Sequence, residues 1–275
     1  MSEIINLIEK NPDSHVYQSA VKILATKINK DYSFIINVWD HEMPHKTKYP
    51  KVLISTSDEA HQVPAQVDDS DFVHIFKQYA PMENADIPIS VQSISNVTPI
   101  PLCHLEGVVD CGSSIFSRQY DWSWMGQFDP YRRVEFKNAI DKAAQNNGLK
   151  NKVLWYNGWN NGSDTTSYSD IVNQTKIIPV PRGSGSLESF RFFEAMMCGC
   201  IVVTVSQPCV DFYDVAPCVY IPSWDNFENL VKGLLKKKEQ LEFISLQSRA
   251  WYKHFCTPEG LSNYMYRAMK AAGNV

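Results

Sequence analysis

Three short apolar runs in the first third of the chain most restrict what it can fold into. They lie at residues 34–38, 51–55 and 72–76, and each stops at polar residues. Continuous apolar runs of this length, without strict alternation, suit strands of a parallel sheet covered on both faces. Ligands of such sheets gather beyond the carboxyl ends of the strands. The residues that follow the runs are therefore site candidates before any motif is considered: Trp39-Asp40-His41, Ser57-Asp58-Glu59 and Lys77-Gln78-Tyr79. Ahead of the first run, Ile5, Ile8, Val16, Ala20, Ile23, Leu24 and Ile28 fall near helical spacing, and the first thirty residues read as helical. Residues 81–114, rich in Pro, Ser and Asn, read as loops with one short strand leading to a domain junction.

A second alternation follows. Strands are expected over 120–125, 152–156, 176–179, 201–205 and 219–221, with a turn at Gly126-Gln127. Helices are expected over about 130–146 and 188–198, and two more close the chain. Strand–helix alternation in both halves predicts an α/β protein with two Rossmann-like domains facing a cleft. The expected division is 1–114 and 115–256, with a helix over 257–275 packing back on the first domain.

Composition narrows the function classes. With 44% hydrophobic and 20% charged residues among 275, the chain can bury a substantial core, which excludes disorder and coiled coil. A net charge of −4 argues against a nucleic-acid binder or an anionic-membrane protein. No apolar run approaches the roughly 18 residues a membrane span needs, and the start does not read as a signal peptide. Seven cysteines without Cys-x-x-Cys or paired zinc spacing read as reduced thiols in a cytoplasmic protein.

The most informative stretch is 176–204: a strand, the loop Pro181-Arg182-Gly183-Ser184-Gly185-Ser186, a helix start, and a helix-to-strand turn at Gly199. Unpaired N–H groups at a helix start, reinforced by the helix dipole, form a phosphate site. Gly183 and Gly185 allow close approach of backbone to an anion. Arg182 and Arg191 suit a diphosphate, and Glu194 suits a ribose diol. A solvated loop with an ordinary surface ion pair is the alternative for these residues. Cys198 and Cys200, flanking Gly199, read as packing residues.

The wording Pro-Arg-Gly, then Ser189-x-Arg191-x-x-Glu194-Ala, then Cys-Gly-Cys-Ile-Val-Val resembles the nucleotide-sugar site of the exostosin-like glycosyltransferases, members of the GT-B class. Val202 stands where that family usually has Pro. Ser186 stands where a wider GT-B signature has Glu, with Glu188 nearby. More weakly, residues 124–133 resemble the family's first nucleotide-domain strand, its Gly turn and its Arg-bearing helix. That likeness implies Gly126 near a diphosphate, with Arg132 or Arg133 reaching it.

The resemblance implies an inverting transfer of one sugar from a UDP-sugar, xylose first and galactose or glucuronate next, to a hydroxyl of an oligosaccharide or glycoprotein glycan. Such a transfer needs a base for the acceptor hydroxyl and positive charge for the departing UDP. The candidate bases are Asp58 and Glu59, with Asp40, His41 and Glu42 as rivals. Trp159, in a polar loop, suits stacking on a sugar ring, and His41 an acceptor contact. No metal is expected to be obligatory. The Asp69-x-Asp71 pair of a metal-dependent GT-A-type transferase precedes its strand instead of following it. A non-catalytic nucleotide- or carbohydrate-binding module remains the alternative. A dinucleotide dehydrogenase is excluded, because no Gly-x-Gly-x-x-Gly follows the first strand.

Overall fold

The computed structural model describes residues 2–7, 14–38, 46–56, 72–79, 96–145, 148–158, 162–183, 187–206, 208 and 210–275. Contacts divide the chain into two compact units: 1–103 with 208–212 and 253–275, and 104–207 with 213–252.

The first unit holds a parallel sheet whose strands lie in chain order, β1 (Glu3–Asn6), β2 (Ser33–Val38), β3 (Lys51–Thr56), β4 (Phe72–Lys77) and β5 (Val97–Pro99). The apolar runs become β2, β3 and β4, and Ile35, Leu53, Phe72 and Ile75 form one buried cluster. Helix α1 (Ser14–Lys27) buries Tyr17, Ala20, Val21 and Leu24 and packs on the C-terminal helix α8 (Pro258–Ala271). Lys27 Nζ ties the pair, reaching Glu259 Oε1 at 2.7 Å and Asn263 Oδ1 at 2.8 Å. Ile5, expected in a helix, lies instead on β1 opposite Ile35. Over so few residues the apolar spacing fits either period, and pairing with β2 decides it.

The second unit holds a parallel sheet in the order β10-β9-β8-β6-β7. Its elements are β6 (Tyr120–Gln127), α2 (Val134–Ala144), β7 (Asn151–Tyr156), α3 (Thr165–Asn173), β8 (Thr175–Pro179), α4 (Phe190–Met197), β9 (Ile201–Thr204) and β10 (Val219–Tyr220). A single-turn helix α5 (Asp211–Asp214) precedes β10, and α6 (Phe227–Leu235) and α7 (Lys238–Phe255) follow it. Trp122, Trp124, Phe136, Ile140, Ile177, Ile201, Val203 and Phe227 anchor the core.

Four expectations are corrected here. Gly126 lies inside β6, paired with Trp155, and not in a turn after it. Helix α2 starts at Val134, not near 130, because the Asp129 carboxylate accepts the N–H groups of Tyr131 and Arg132 and holds a turn there. Helix α3 lies where no helix was expected and is capped by Asp164, whose Oδ1 accepts from Ser167 N at 2.9 Å. Three helices, not two, follow β10, since Thr257 caps α8 with Pro258 in its first turn.

Helix α4 ends at Gly199, whose φ of +65° is the left-handed conformation glycine tolerates. Gly199 N donates to Met196 O and Cys200 N to Ala195 O, which closes the helix end in a Schellman arrangement. Arg118 and Arg249 both donate to the Cys198 carbonyl, and Arg249 also pairs with Asp110. Cys198 and Cys200 are fully buried, and burial pushes both thiols up.

A methyl group on Gly199 would lie 2.5 Å from Arg249 Nη1 in a left-handed backbone. Gly199→Ala is expected to lose about 2 kcal/mol or more in urea unfolding. His74, 2% exposed, bonds Thr98 Oγ1 at 2.9 Å, and burial pushes its imidazole down to about 4. Between pH 6.5 and 4 the unfolded chain takes up this proton and the folded one does not. Stability from this group is therefore full above pH 6.5 and falls by about 3 kcal/mol towards pH 4. Urea unfolding of wild type and His74→Asn at several pH values checks it, the variant losing that part of the slope.

Candidate functional site

The strand order of the second unit creates a switch point. The chain runs from β6 to β7 on one side, then returns through α3 to β8 on the other. Such a point leaves a crevice beyond the carboxyl ends of the two strands. Here it lies beyond β6 and β8, where Gly126-Gln127 end one strand and Val180-Pro-Arg-Gly183 continue from the other.

Arg191, in the first turn of α4, is held at this crevice. Its Nε donates to Met125 O at 2.6 Å, and its guanidinium lies 5.0 Å from the Trp124 ring centroid. A methyl on Gly126 would lie 2.8 Å from Arg191 Nη2 and 2.6 Å from the Trp124 ring, so this position requires glycine. Among the described residues no hydrogen bond involves the Nη1 and Nη2 groups of Arg191. Arg182 is half-buried, and its Nε is buried without a partner among the described residues. Ser189 precedes α4 in extended conformation, and its hydroxyl makes no cap bond to the helix. The first N–H groups of α4 thus share the helix start with Arg191, whose terminal guanidinium groups have donor capacity to spare among the described residues.

Arg133, expected to reach a diphosphate, does something else. At 5% exposure its Nε and Nη2 donate to Arg182 O at 3.1 and 2.8 Å, and Nη1 donates to Gln127 O at 3.1 Å. It braces the end of β6 against the loop after β8. Glu188, the acid nearest Ser186, is also committed: it is buried and accepts from Tyr213 OH at 3.0 Å.

Glu194 is 2% exposed; Oε2 accepts from Tyr168 OH at 2.7 Å and Oε1 from Leu105 N at 3.5 Å. An ionised carboxylate has about four acceptor positions. A ribose diol would therefore add a second donor to each oxygen. Burial pushes the carboxyl above its usual range, opposed by the Tyr168 hydrogen bond, the Arg191 charge and the Leu105 N–H. The same burial, with the carboxylate beside it, drives the Tyr168 hydroxyl well above the usual phenol range, so it stays a donor.

Gly126, Arg182, Gly183, Ser189 and Arg191 thus belong to the ends of β6 and β8 and the start of α4. Sequence reasoning missed two contributors, the Trp124 ring and Tyr168. The signal for Tyr168 was Asp164 as a cap ahead of Tyr168, Ile171 and Val172. Asp40, His41, Asp58, Glu59, Trp159, Ser184 and Gly185, with Asp69 and Asp71, lie outside the described residues. Among the described residues no three His, Cys, Asp or Glu side chains gather into a metal-binding group, and no helix is long and apolar enough to cross a membrane.

No protein-family model and no curated protein matches the sequence. Solved structures do match. The sucrose-phosphate synthase of Thermosynechococcus elongatus is 12% identical with a TM-score of 0.54, covering 96% of this chain and 80% of that one. AviGT4, a glycosyltransferase involved in avilamycin A biosynthesis, is 9% identical with a TM-score of 0.54, covering 96% and 91%. HepE of Anabaena in complex with UDP is 8% identical with a TM-score of 0.52, covering 92% and 82%. The fold is that of the GT-B glycosyltransferases: α/β with two parallel five-stranded sheets.

If the unpartnered Arg191 groups form an anion site, pyrophosphate binds there. Arg191→Ala should weaken its binding by about tenfold or more, the scale of a charged hydrogen bond. Gly126→Ala should weaken it less, by unseating the guanidinium, and should alter tryptophan fluorescence. Calorimetric titration of the three proteins checks both.

Proposed function

We propose that this chain is a glycosyltransferase that moves one sugar from a UDP-sugar to a hydroxyl of a glycan acceptor. The observation that carries the reading is Arg191 in the first turn of α4 at the switch point, its terminal groups unpaired among the described residues, with Arg182 on the loop that continues from β8. A departing nucleoside diphosphate gains charge as the glycosidic bond breaks, and fixed positive groups there lower the barrier. The arginines and the helix start supply that charge, so the transfer requires no metal ion.

The UDP held by HepE, a protein of similar fold, supports a uridine nucleotide. The exostosin-like wording of residues 176–204 supports an inverting reaction, with xylose as first donor sugar and galactose or glucuronate next. In that reading Asp58 or Glu59, or else Asp40 with His41, takes the proton of the acceptor hydroxyl. Trp159 stacks on a sugar ring, Glu194 accepts from the ribose, and the acceptor is an oligosaccharide or a glycoprotein glycan.

A thermal-shift screen against nucleotide sugars tests the donor. A ligand at a hundred times its Kd stabilises by about 2.7 kcal/mol, enough to raise the midpoint clearly. UDP and UDP-xylose are expected to do so, and no shift with any uridine nucleotide overturns the assignment. Asp58→Asn and Glu59→Gln are then expected to bind the donor as wild type does, one of them losing transfer by at least about a hundredfold. Proton NMR of the first product should show the inverted anomer; a retained anomer rejects the base-catalysed mechanism.

A further inference from the structure

Tyr168 and Glu194 meet inside the second unit from two different elements, α3 and α4, and the tyrosine stands in a stretch that carries none of the site's sequence motif. We propose that Tyr168 is the positioning residue of the nucleotide site: its hydroxyl, 2.7 Å from Glu194 Oε2, aims that carboxylate and keeps it in the acceptor form that a ribose diol requires. The inference rests on the ribose role given to Glu194 above.

Among the described residues, few groups face Glu194. Tyr168 approaches from α3, Arg191 and the Cys198 thiol from α4, and Leu105 offers its backbone N–H from the segment ahead of β6. Arg191 is turned to Met125 O and attracts Glu194 only as a charge. The Leu105 contact is long at 3.5 Å. Tyr168 therefore makes the only short hydrogen bond to this carboxylate among the described residues. Its phenol is held protonated, so it donates at every pH of interest and fixes one oxygen. The remaining lone pairs of both oxygens then keep a fixed direction, which two adjacent ribose hydroxyls need.

Two consequences distinguish positioning from mere packing. Without the tyrosine hydroxyl, Glu194 keeps its burial and loses a stabilising donor, so it takes up a proton at higher pH. A protonated Glu194 accepts fewer hydrogen bonds, so nucleotide affinity is lost as pH falls through that point. The loss should therefore set in at higher pH in Tyr168→Phe than in wild type. The preference for UDP over 2′-deoxy-UDP should also shrink, by about tenfold, the scale of one hydrogen bond to a charged group.

The experiment is calorimetric titration of UDP and 2′-deoxy-UDP into wild type, Tyr168→Phe and Glu194→Gln from pH 5 to 8. A reduced preference together with a shifted pH profile in Tyr168→Phe supports the proposal. An unchanged preference and profile overturns it while leaving the donor reading intact. Glu194→Gln gives a second test that does not depend on the folding of Tyr168→Phe: if it keeps the full preference for UDP, Tyr168 has no ribose contact to act through and the proposal falls. Wild type that binds neither nucleotide overturns both this proposal and the reading on which it rests.

Discussion

Beyond Trp122 the pairing of β6 with β8 stops, while its pairing with β7 runs on to Gln127. Two parallel strands that part in this way leave main-chain carbonyls in need of donors, and buried carbonyls without donors are costly. Arginines supply them. Arg191 takes the carbonyl of Met125, and Arg133 takes those of Gln127 and Arg182. The opened edge is therefore held open by side chains that cannot lose their charge, and the rest of the site is arranged around that fact. Gly126 must lack a side chain because the guanidinium of Arg191 passes over it. Trp124 must be large and flat because Arg191 and Arg133 both lie over its ring, 5.0 and 5.9 Å from the centroid.

The arginines of the second unit divide by how many donors remain to them. Arg133 uses three N–H groups on two carbonyls, and Arg118 and Arg249 close the helix end at Gly199. A guanidinium suits this work because its five donors point in fixed directions in one plane, where an ammonium offers three on a swivelling stem. Arg191 differs: among the described residues it is tied by one nitrogen, and the hydrogen bond that positions it leaves both terminal groups without a partner there. One residue type thus serves as a full fastener or keeps donors in hand according to which of its nitrogens the backbone claims.

Much of this was legible in the sequence, for a physical reason. Strands buried on both faces must be apolar throughout, and β2, β3, β4 and β9 show as plain runs. The start of α4 after β8 shows in the sequence as Gly and Arg ahead of an apolar helix. Where the reading failed, local spacing fitted two answers or the deciding partner was distant. Ile5 was decided by β2, thirty residues away, and the start of α2 by a carboxylate hydrogen-bonding its own turn. Arg133 looks identical in sequence whether it meets a phosphate or the carbonyl of Arg182, and only the fold separates the two. Tyr168 was hidden because its meaning comes from Glu194, twenty-six residues on.

Two acids, Glu188 and Glu194, flank the start of α4, where the helix dipole favours an anion. Glu188 is turned to the hydroxyl of Tyr213. Glu194, one turn beyond Arg191, is enclosed and accepts from Tyr168 and Leu105. Among the described residues both carboxylates thus accept from protein donors, while the terminal N–H groups of Arg191 make no hydrogen bond. Unpaired donors beside a helix start are the electrostatic complement of an anionic group.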